Sequence, residues 1–485
     1  LFRSRFLNQN LLPYSFTMVT QTAIRSHHIA THRYVPATST PIPAEKIASI
    51  LSAEWKLFSQ LTQGSAAENA RACQTMPLGV PSSFQHWNPY PVSITSASGA
   101  YMTDVDGRKL LDLSMGFGAM LAGHLNPTVL EEVQAQLKEG MLFVTPSPTS
   151  TDAAELVCKR FGIDQVRFTN SGTEATMYAL RVARAATGKS GIVKIEGGYH
   201  GSYDPLAVST KPPLDKAGDE ENPTPYIDPS LAPGDIYVVP FNNADALERL
   251  FETHASKIAG FIIEPVLENI AIVLPDAGYL ERVRELCDQY EVVLILDEVK
   301  TGLTAGAHGA ATRLGVKPDL ITLAKSIGGG LPLAAFGGKK RYMDFVTNGK
   351  MPHFGTFNGN PLAMAGVRAM ERICSDRALE VAEEFNLQAL TRIGDIIDEY
   401  QLPAHTVGFG VKGCITWSTT PVRNYRDYKA TDFGVAEAHW LFAINRGIMT
   451  PPGLDEQWLI SLAHGQTEID KMVEEFRDFA KALRS

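Results

Sequence analysis

The sequence predicts an α/β protein built on a large, mostly parallel sheet, and three observations carry that expectation. Short apolar runs alternate with helical stretches through the middle of the chain, at 191–197, 236–241, 258–266, 291–299 and 319–325. Such alternation implies βαβ units. Those runs are continuous instead of alternating apolar with polar, as strands covered on both faces must be. Finally, carboxylates and a lysine stand at the carboxyl ends of two runs, LILDEV at 294–299 and DLITLAK at 319–325. In open α/β sheets that edge is the ligand crevice.

The elements follow in order. Residues 1–44 hold Arg3, Arg5, Arg25 and Arg33, many Ser and Thr, and no acid before Glu45, the composition of a targeting or disordered leader. Apolar spacing predicts a helix over 45–63, then an irregular Pro-containing segment over 75–95. GAYMTDVDGRKLLDL, 99–113, reads as a hairpin turning at Asp106-Gly107. The alternating strands come next, interrupted at 205–235 by a stretch with seven prolines, expected to be a long surface loop beside the site. Beyond about 365 long helices surround a few strands, and a capped helix runs from Thr467 to about Leu483. The expected division is a leader over 1–44, an N-terminal segment over 45–105 joining a small α+β domain, a large sheet domain over 106–365, and the small domain itself over 366–485.

Composition bounds the partners. The chain has 485 residues, 44% of them apolar, enough for a large core. A net charge of −9 argues against nucleic acid or an anionic membrane as the main partner. No apolar stretch reaches the roughly 18 residues of a membrane span. Cys73, Cys158, Cys287, Cys374 and Cys414 lie scattered without CxxC spacing, so neither a disulfide framework nor a metal site is expected. A reducing compartment fits, the cytoplasm first and the mitochondrion as the alternative that the acid-free leader suggests.

Three local patterns carry chemistry. Lys325 ends an apolar strand and precedes Ser326, Ile327 and three glycines. Desolvation there can make it an amine nucleophile, although many such lysines are solvated caps. Asp297 and Glu298 end the strand before it. In FTNSGTEATMYALRVAR, 168–184, Ser171 and Glu174 form a capping-box pattern, and Gly172 and Thr173 fall inside the first turn of the helix it opens. A helix amino terminus is a seat for phosphate. An amine to form an imine, an anion to keep a pyridine nitrogen protonated, and a phosphate seat are what pyridoxal 5'-phosphate requires.

From about residue 75 onward the chain resembles the class III aminotransferases of fold type I, and within them the branch containing glutamate-1-semialdehyde aminomutase. The motifs are DVDGRKLLDL, GFGAMLAGHLNP, RFTNSGTEAT, EGGYHG, IIEPV, LDEV, LAKSIGGGLPLAAFGG and HFGTFNGNPLAMA. The resemblance implies a fold type I architecture with a seven-stranded-type sheet, Lys325 carrying the internal aldimine, and Asp297 pairing with the pyridinium nitrogen. Val299 and Tyr199 would lie on opposite ring faces, with Ser171, Gly172 and Thr173 at the phosphate and Asn269 near the phenolic oxygen. Thr356 would reach the phosphate of a neighbouring subunit, making a homodimer with shared active sites. The implied activity is amino-group transfer between small-molecule amine and carbonyl substrates, with an aminomutase or racemase as the alternative. A non-catalytic interaction protein is the competing class.

The resemblance thins around the substrate. Relatives often place an arginine in the segment corresponding to VPSSFQHWNPYP, 80–91, and another after the TG that follows the Asp297 strand; this chain has neither. Lys300, Lys412 or Arg446 could replace them as the anion contact, and Trp87 and Phe143 could present an apolar wall. Lys300 is the rival for the imine. His200 and His124 read as structural hydrogen-bonding histidines.

Overall fold

The computed structural model describes residues 32–451 and 457–485. Its centre is a sheet of seven strands: β1 (Gln165–Thr169), β2 (Gly191–Ile195), β3 (Ile236–Val239), β4 (Ile258–Ile263), β5 (Val293–Glu298), β6 (Leu320–Ala324) and β7 (Ala334–Gly338). The order is β1-β7-β6-β5-β4-β2-β3. Only β7 runs antiparallel to its neighbours. All six residues of β4 and all six of β5 are buried, as continuous apolar runs covered on both faces require. On one face helix α1 (Gly172–Thr187) lays Ala175, Ala179 and Ala183 against Ile262, Val293 and Ile295. On the other, Leu280, Val283 and Leu286 of the helix Tyr279–Gln289 meet Phe261, Leu294 and Leu296. Burying each of the larger side chains contributes about 1.5–3 kcal/mol.

Helix α1 has clear causes for both of its ends. The Ser171 side chain accepts from the Glu174 N–H, and the Glu174 carboxylate accepts from the backbone of Ser171, so a reciprocal box starts the helix. Gly188, in the left-handed region at φ 70°, stops it.

Two four-stranded sheets flank this one. The first joins Ile94–Ser98, Tyr101–Asp104, Lys109–Asp112 and Ile448–Met449. Its hairpin turns where DVDG predicts, with Gly107 at φ 80°. The second joins His32–Tyr34, His405–Phe409, Lys412–Thr416 and Gln457–Leu459. Part of the expected leader therefore belongs to the fold: His32, Arg33 and Tyr34 pair antiparallel with Gly408, Val407 and Thr406. Residues 1–31 of that leader lie outside the described residues. The predicted first helix is Ala44–Leu61 and the last is Gln466–Arg484. The stretch 205–235 holds only one turn of helix from 204 and one short 3-10 turn before β3 begins. Among the described residues no helix is long and apolar enough to cross a membrane, no group of acidic, His or Cys side chains is arranged to hold a metal ion, and the five cysteines are free.

Candidate active site

A cavity of about 280 Å³ opens at the carboxyl ends of β5 and β6, walled also by the start of α1 and the turn after β2. Ser171, Gly172, Thr173, Tyr199, Asn269, Asp297, Val299 and Lys325 all line it. Eight of the nine residues singled out from the sequence are thus brought together. The ninth, Thr356, is exposed and lies elsewhere.

Lys325 follows β6 directly and adopts φ 51°, a left-handed conformation that non-glycine residues rarely hold. The turn aims its chain into the cavity wall. Burial pushes its amine down to about 8, with the nearby Lys300 and Lys412 ammonium groups adding to the effect and Asp297 and Glu264 opposing it. At neutral pH a usable fraction of this amine is unprotonated.

Asp297 is held from three sides. The β5–β6 register sets it opposite Thr322, whose hydroxyl donates to Oδ1 over 2.9 Å. The Val299 N–H donates to the same oxygen over 3.0 Å. His200 Nδ1 donates to Oδ2 over 2.7 Å, while His200 Nε2 is buried without a partner. The turn carrying Tyr199 and His200 is fixed from beneath by Lys194, whose buried ammonium donates to the carbonyls of Gly198, Leu206 and Val208 at 2.8, 2.9 and 2.6 Å. Burial lowers Lys194 to about 7, against the pull of Glu264. Glu264, itself raised by burial, accepts from Asn269 Nδ2 at 3.0 and 3.1 Å and so orients that amide at the cavity.

The start of α1 forms the polar end of the cavity. The capping box uses the N–H groups of Ser171 and Glu174, leaving those of Gly172 and Thr173 without helical acceptors by their place in the first turn. Close packing shapes this end: a Cβ on Gly172 would lie 3.0 Å from Val299 Cγ1, and one on Gly201 2.5 Å from Thr173 Oγ1. Tyr199 of the lining packs on aromatic neighbours, with Phe84 edge-on to it at 5.7 Å and tilted on Phe117 at 5.9 Å.

Residues 83–424 match the family model described as "Aminotransferase class-III". The chain belongs to the class III aminotransferases. Similar relatives include glutamate-1-semialdehyde 2,1-aminomutases of Methanocorpusculum labreanum, 37% identical over 83% of this chain and 96% of the relative, and of Thermomicrobium roseum, 38% identical over 85% and 96%. Among solved structures, an omega-transaminase from Sphaerobacter thermophilus aligns with a TM-score of 0.83 at 31% identity, covering 87% of this chain and 98% of that one.

Class III aminotransferases use pyridoxal phosphate, and the residues present fit it. An amine of lowered basicity, a carboxylate anchored on its far side by an imidazole, and a helix start with two uncommitted N–H groups face one cavity. Gly201 leaves open a cradle that a side chain would fill.

Other expectations are corrected. Trp87 packs edge-on against Trp440 at 5.4 Å within a separate apolar cluster, away from the cavity. Arg446 pairs with Glu54 at 3.0 Å. Phe143 lies outside the cavity lining and is exposed. Lys300 does line the cavity, with its amine donating to the Glu268 carbonyl and to Gln457. Sequence reasoning missed Glu264, which carries no signal beyond its strand-end position, and the buried pair of Glu268 Oε2 with Lys412 at 2.5 Å.

Proposed function

We propose that this chain moves an amino group between neighbouring carbons of one substrate, the reaction type named in its 2,1-aminomutase relatives. The observation that carries the chemistry is the single cavity setting the Lys325 amine, the Asp297 carboxylate and the α1 start around one another. The 2,1-aminomutase relatives, 37% and 38% identical over most of the chain, favour the intramolecular reaction.

When bound, pyridoxal phosphate supplies an electron-withdrawing ring that acidifies the C–H bond beside the substrate nitrogen. Lys325 is the residue that would hold its aldehyde carbon. With its basicity lowered by burial, the Lys325 Nζ would be partly neutral near pH 8 and would act as general base at the substrate carbon beside the nitrogen. Asp297 would hold a proton at the ring nitrogen, its carboxylate oriented by His200, Thr322 and the Val299 N–H. Tyr199 and Val299 would hold the ring between them, and the N–H groups of Gly172 and Thr173 with the start of the helix at Ser171 would hold the phosphate. Asn269, oriented by Glu264, would serve the phenolic oxygen.

The working unit in this reading is a homodimer. Thr356 sits on an exposed turn between Phe354, 79% exposed, and Phe357, 59% exposed, an apolar surface that a second copy would cover. The chain divides near residues 105 and 365 in the same reading.

A second reading, intermolecular transamination, is favoured by the arginine-free segment 80–91 and by its Phe84, which packs on the cavity residue Tyr199. Glutamate-1-semialdehyde given to the cofactor-loaded protein alone decides between them. The first reading expects an isomeric amino ketone of unchanged mass with no acceptor present; product formed only after a keto acid is added would replace it with the second.

A further inference from the structure

Every residue of β2 is buried, and Lys194 among them is fully so. An ammonium in that place is costly unless its N–H groups are all used. Lys194 lies outside the cavity lining, so it touches neither cofactor nor substrate. We propose that Lys194 is a positioning residue of the active site, its charge gathering three backbone carbonyls to one point and thereby setting the turn that carries Tyr199 into the cavity and His200 onto Asp297. The proposal rests on the reading of Tyr199 and Asp297 as residues that hold the cofactor ring.

The acceptors come from both ends of one loop. Nζ donates to the Gly198 carbonyl, just before Tyr199, and to the carbonyls of Leu206 and Val208, at the end of the helical turn Asp204–Ala207, over 2.8, 2.9 and 2.6 Å. The Thr210 hydroxyl is a fourth neighbour at 3.5 Å. All four are neutral oxygens, and Glu264 adds a pull through space. Three carbonyls aimed at one point repel one another. A protonated amine has a donor for each, whereas a neutral one has two N–H groups and turns its lone pair on the third carbonyl. The arrangement therefore calls for the charge, not only for the length of the side chain.

Between its two ends the loop makes the contacts that the site uses. His200 donates to Asp297 over 2.7 Å, and its carbonyl accepts from the Thr176 hydroxyl over 2.7 Å. The Ser202 N–H donates to Thr173 Oγ1 over 3.2 Å, which ties the loop to the first turn of α1. The stretch leading into the loop is fastened separately. Glu196 pairs with Arg426 at 3.1 Å, and Gly197, at φ 79°, packs so closely on Tyr425 that a Cβ would stand 2.4 Å from the ring. Loss of the Lys194 charge would thus leave Glu196 and Gly197 in place and slacken the part from Gly198 onward, where Tyr199 and His200 stand.

The test reads the bond between His200 and Asp297 by nuclear magnetic resonance, in cofactor-free protein with isotope-labelled histidine and lysine, below pH 7, where Lys194 holds its proton. The low-field resonance of the His200 Nδ1 proton, identified by its loss in His200→Gln, should be present in the parent. In Lys194→Met, which keeps the length and removes the charge, it should vanish or exchange with water about tenfold or more faster. Leu247→Ala, a core change on the helix Ala244–His254, controls for lost stability alone and should keep the parent's resonance. With cofactor bound, Lys194→Met should lose most of the visible circular dichroism of a ring held in one orientation, and kcat on glutamate-1-semialdehyde should fall by roughly 10–100-fold with KM changed less than about threefold. An unaltered resonance and dichroism in Lys194→Met overturn the proposal, as does the same loss in Leu247→Ala. So does a neutral amine in the parent, read from the Lys194 Nζ shift at the same pH, which needs no variant to fold. If the parent turns over none of this substrate while the resonance still depends on Lys194, the positioning role stands and the proposed reaction falls.

Discussion

His200 and Asp297, 97 residues apart in the chain, are joined by a 2.7 Å hydrogen bond from Nδ1 to Oδ2 in the floor of the cavity. Both side chains are buried, so the bond acts in a medium of low dielectric and fixes the carboxylate's direction strongly. Removing the imidazole leaves the Asp297 carboxylate less constrained. His200→Ala is expected to lower kcat by roughly 10–100-fold with the cofactor still covalently held. Asp297→Asn, which removes the charge itself, should cost about 10²–10⁴. Steady-state rates together with mass analysis after borohydride reduction check both; equal losses in the two variants would contradict the ordering.

Lys325 makes the cofactor-free protein pay for its site. Its amine releases its proton near pH 8 when folded but near 10.5 when unfolded. Between those values the unfolded chain holds more protons, so stability climbs with pH and levels off above 10.5; below 8 the full penalty, about 3 kcal/mol, remains. Lys325→Met without cofactor should therefore melt higher than the parent at pH 7, and the gap should shrink towards pH 10.5. Calorimetry across that range reads it directly, and a gap independent of pH would rule the ionisation account out.

Gly201 has φ 96°, and a Cβ there would stand 2.5 Å from Thr173 Oγ1 and 2.7 Å from Thr173 Cα. Gly201→Ala is expected to destabilise the protein by about 1–3 kcal/mol and to displace the first turn of α1. Weaker cofactor retention on dialysis should accompany the lower melting temperature. Unaltered retention would mean that the turn is not a cofactor seat.

The buried Glu268–Lys412 pair should respond asymmetrically. Lys412→Met alone strands a carboxylate whose Oε1 already lacks a partner, a change worth about 3–5 kcal/mol. Adding Glu268→Leu should restore most of that stability. A denaturant series on the single and double variants measures the coupling, and additive losses would show that the two side chains act independently.

The proposed sharing of sites between two copies can be tested by mixing. Lys325→Ala and Thr356→Ala subunits, unfolded together and refolded, would yield hybrid dimers in which one site regains both residues. At limiting cofactor the mixture should exceed the mean activity of its parents. Activity equal to that mean would place Thr356 outside any shared site.

Much of the fold and site was legible because the signals are local. Lys325, Asp297 and the Ser171–Glu174 box each announce themselves within a few residues, through a strand end or a cap. The partners that tune them do not. His200 meets Asp297, and Glu268 meets Lys412 across 144 residues, by sheet topology that no short window contains. β7, AAFGG, is short, carries no β-branched residue, and so gives no strand signal of its own. Trp87 failed as a substrate wall for a packing reason: an indole beside Trp440 and Phe58 removes more apolar surface from water than one left at a cavity mouth.

The strand His32–Tyr34 covers what would otherwise be the outer margin of its sheet. Cutting the chain after Tyr34 would strip the backbone groups of His405–Phe409 of that partner and offer them to other molecules. Recombinant versions that begin at the first helix should therefore clump, whereas those starting upstream of His32 should stay dispersed, which makes the choice of first residue a matter of colloidal behaviour.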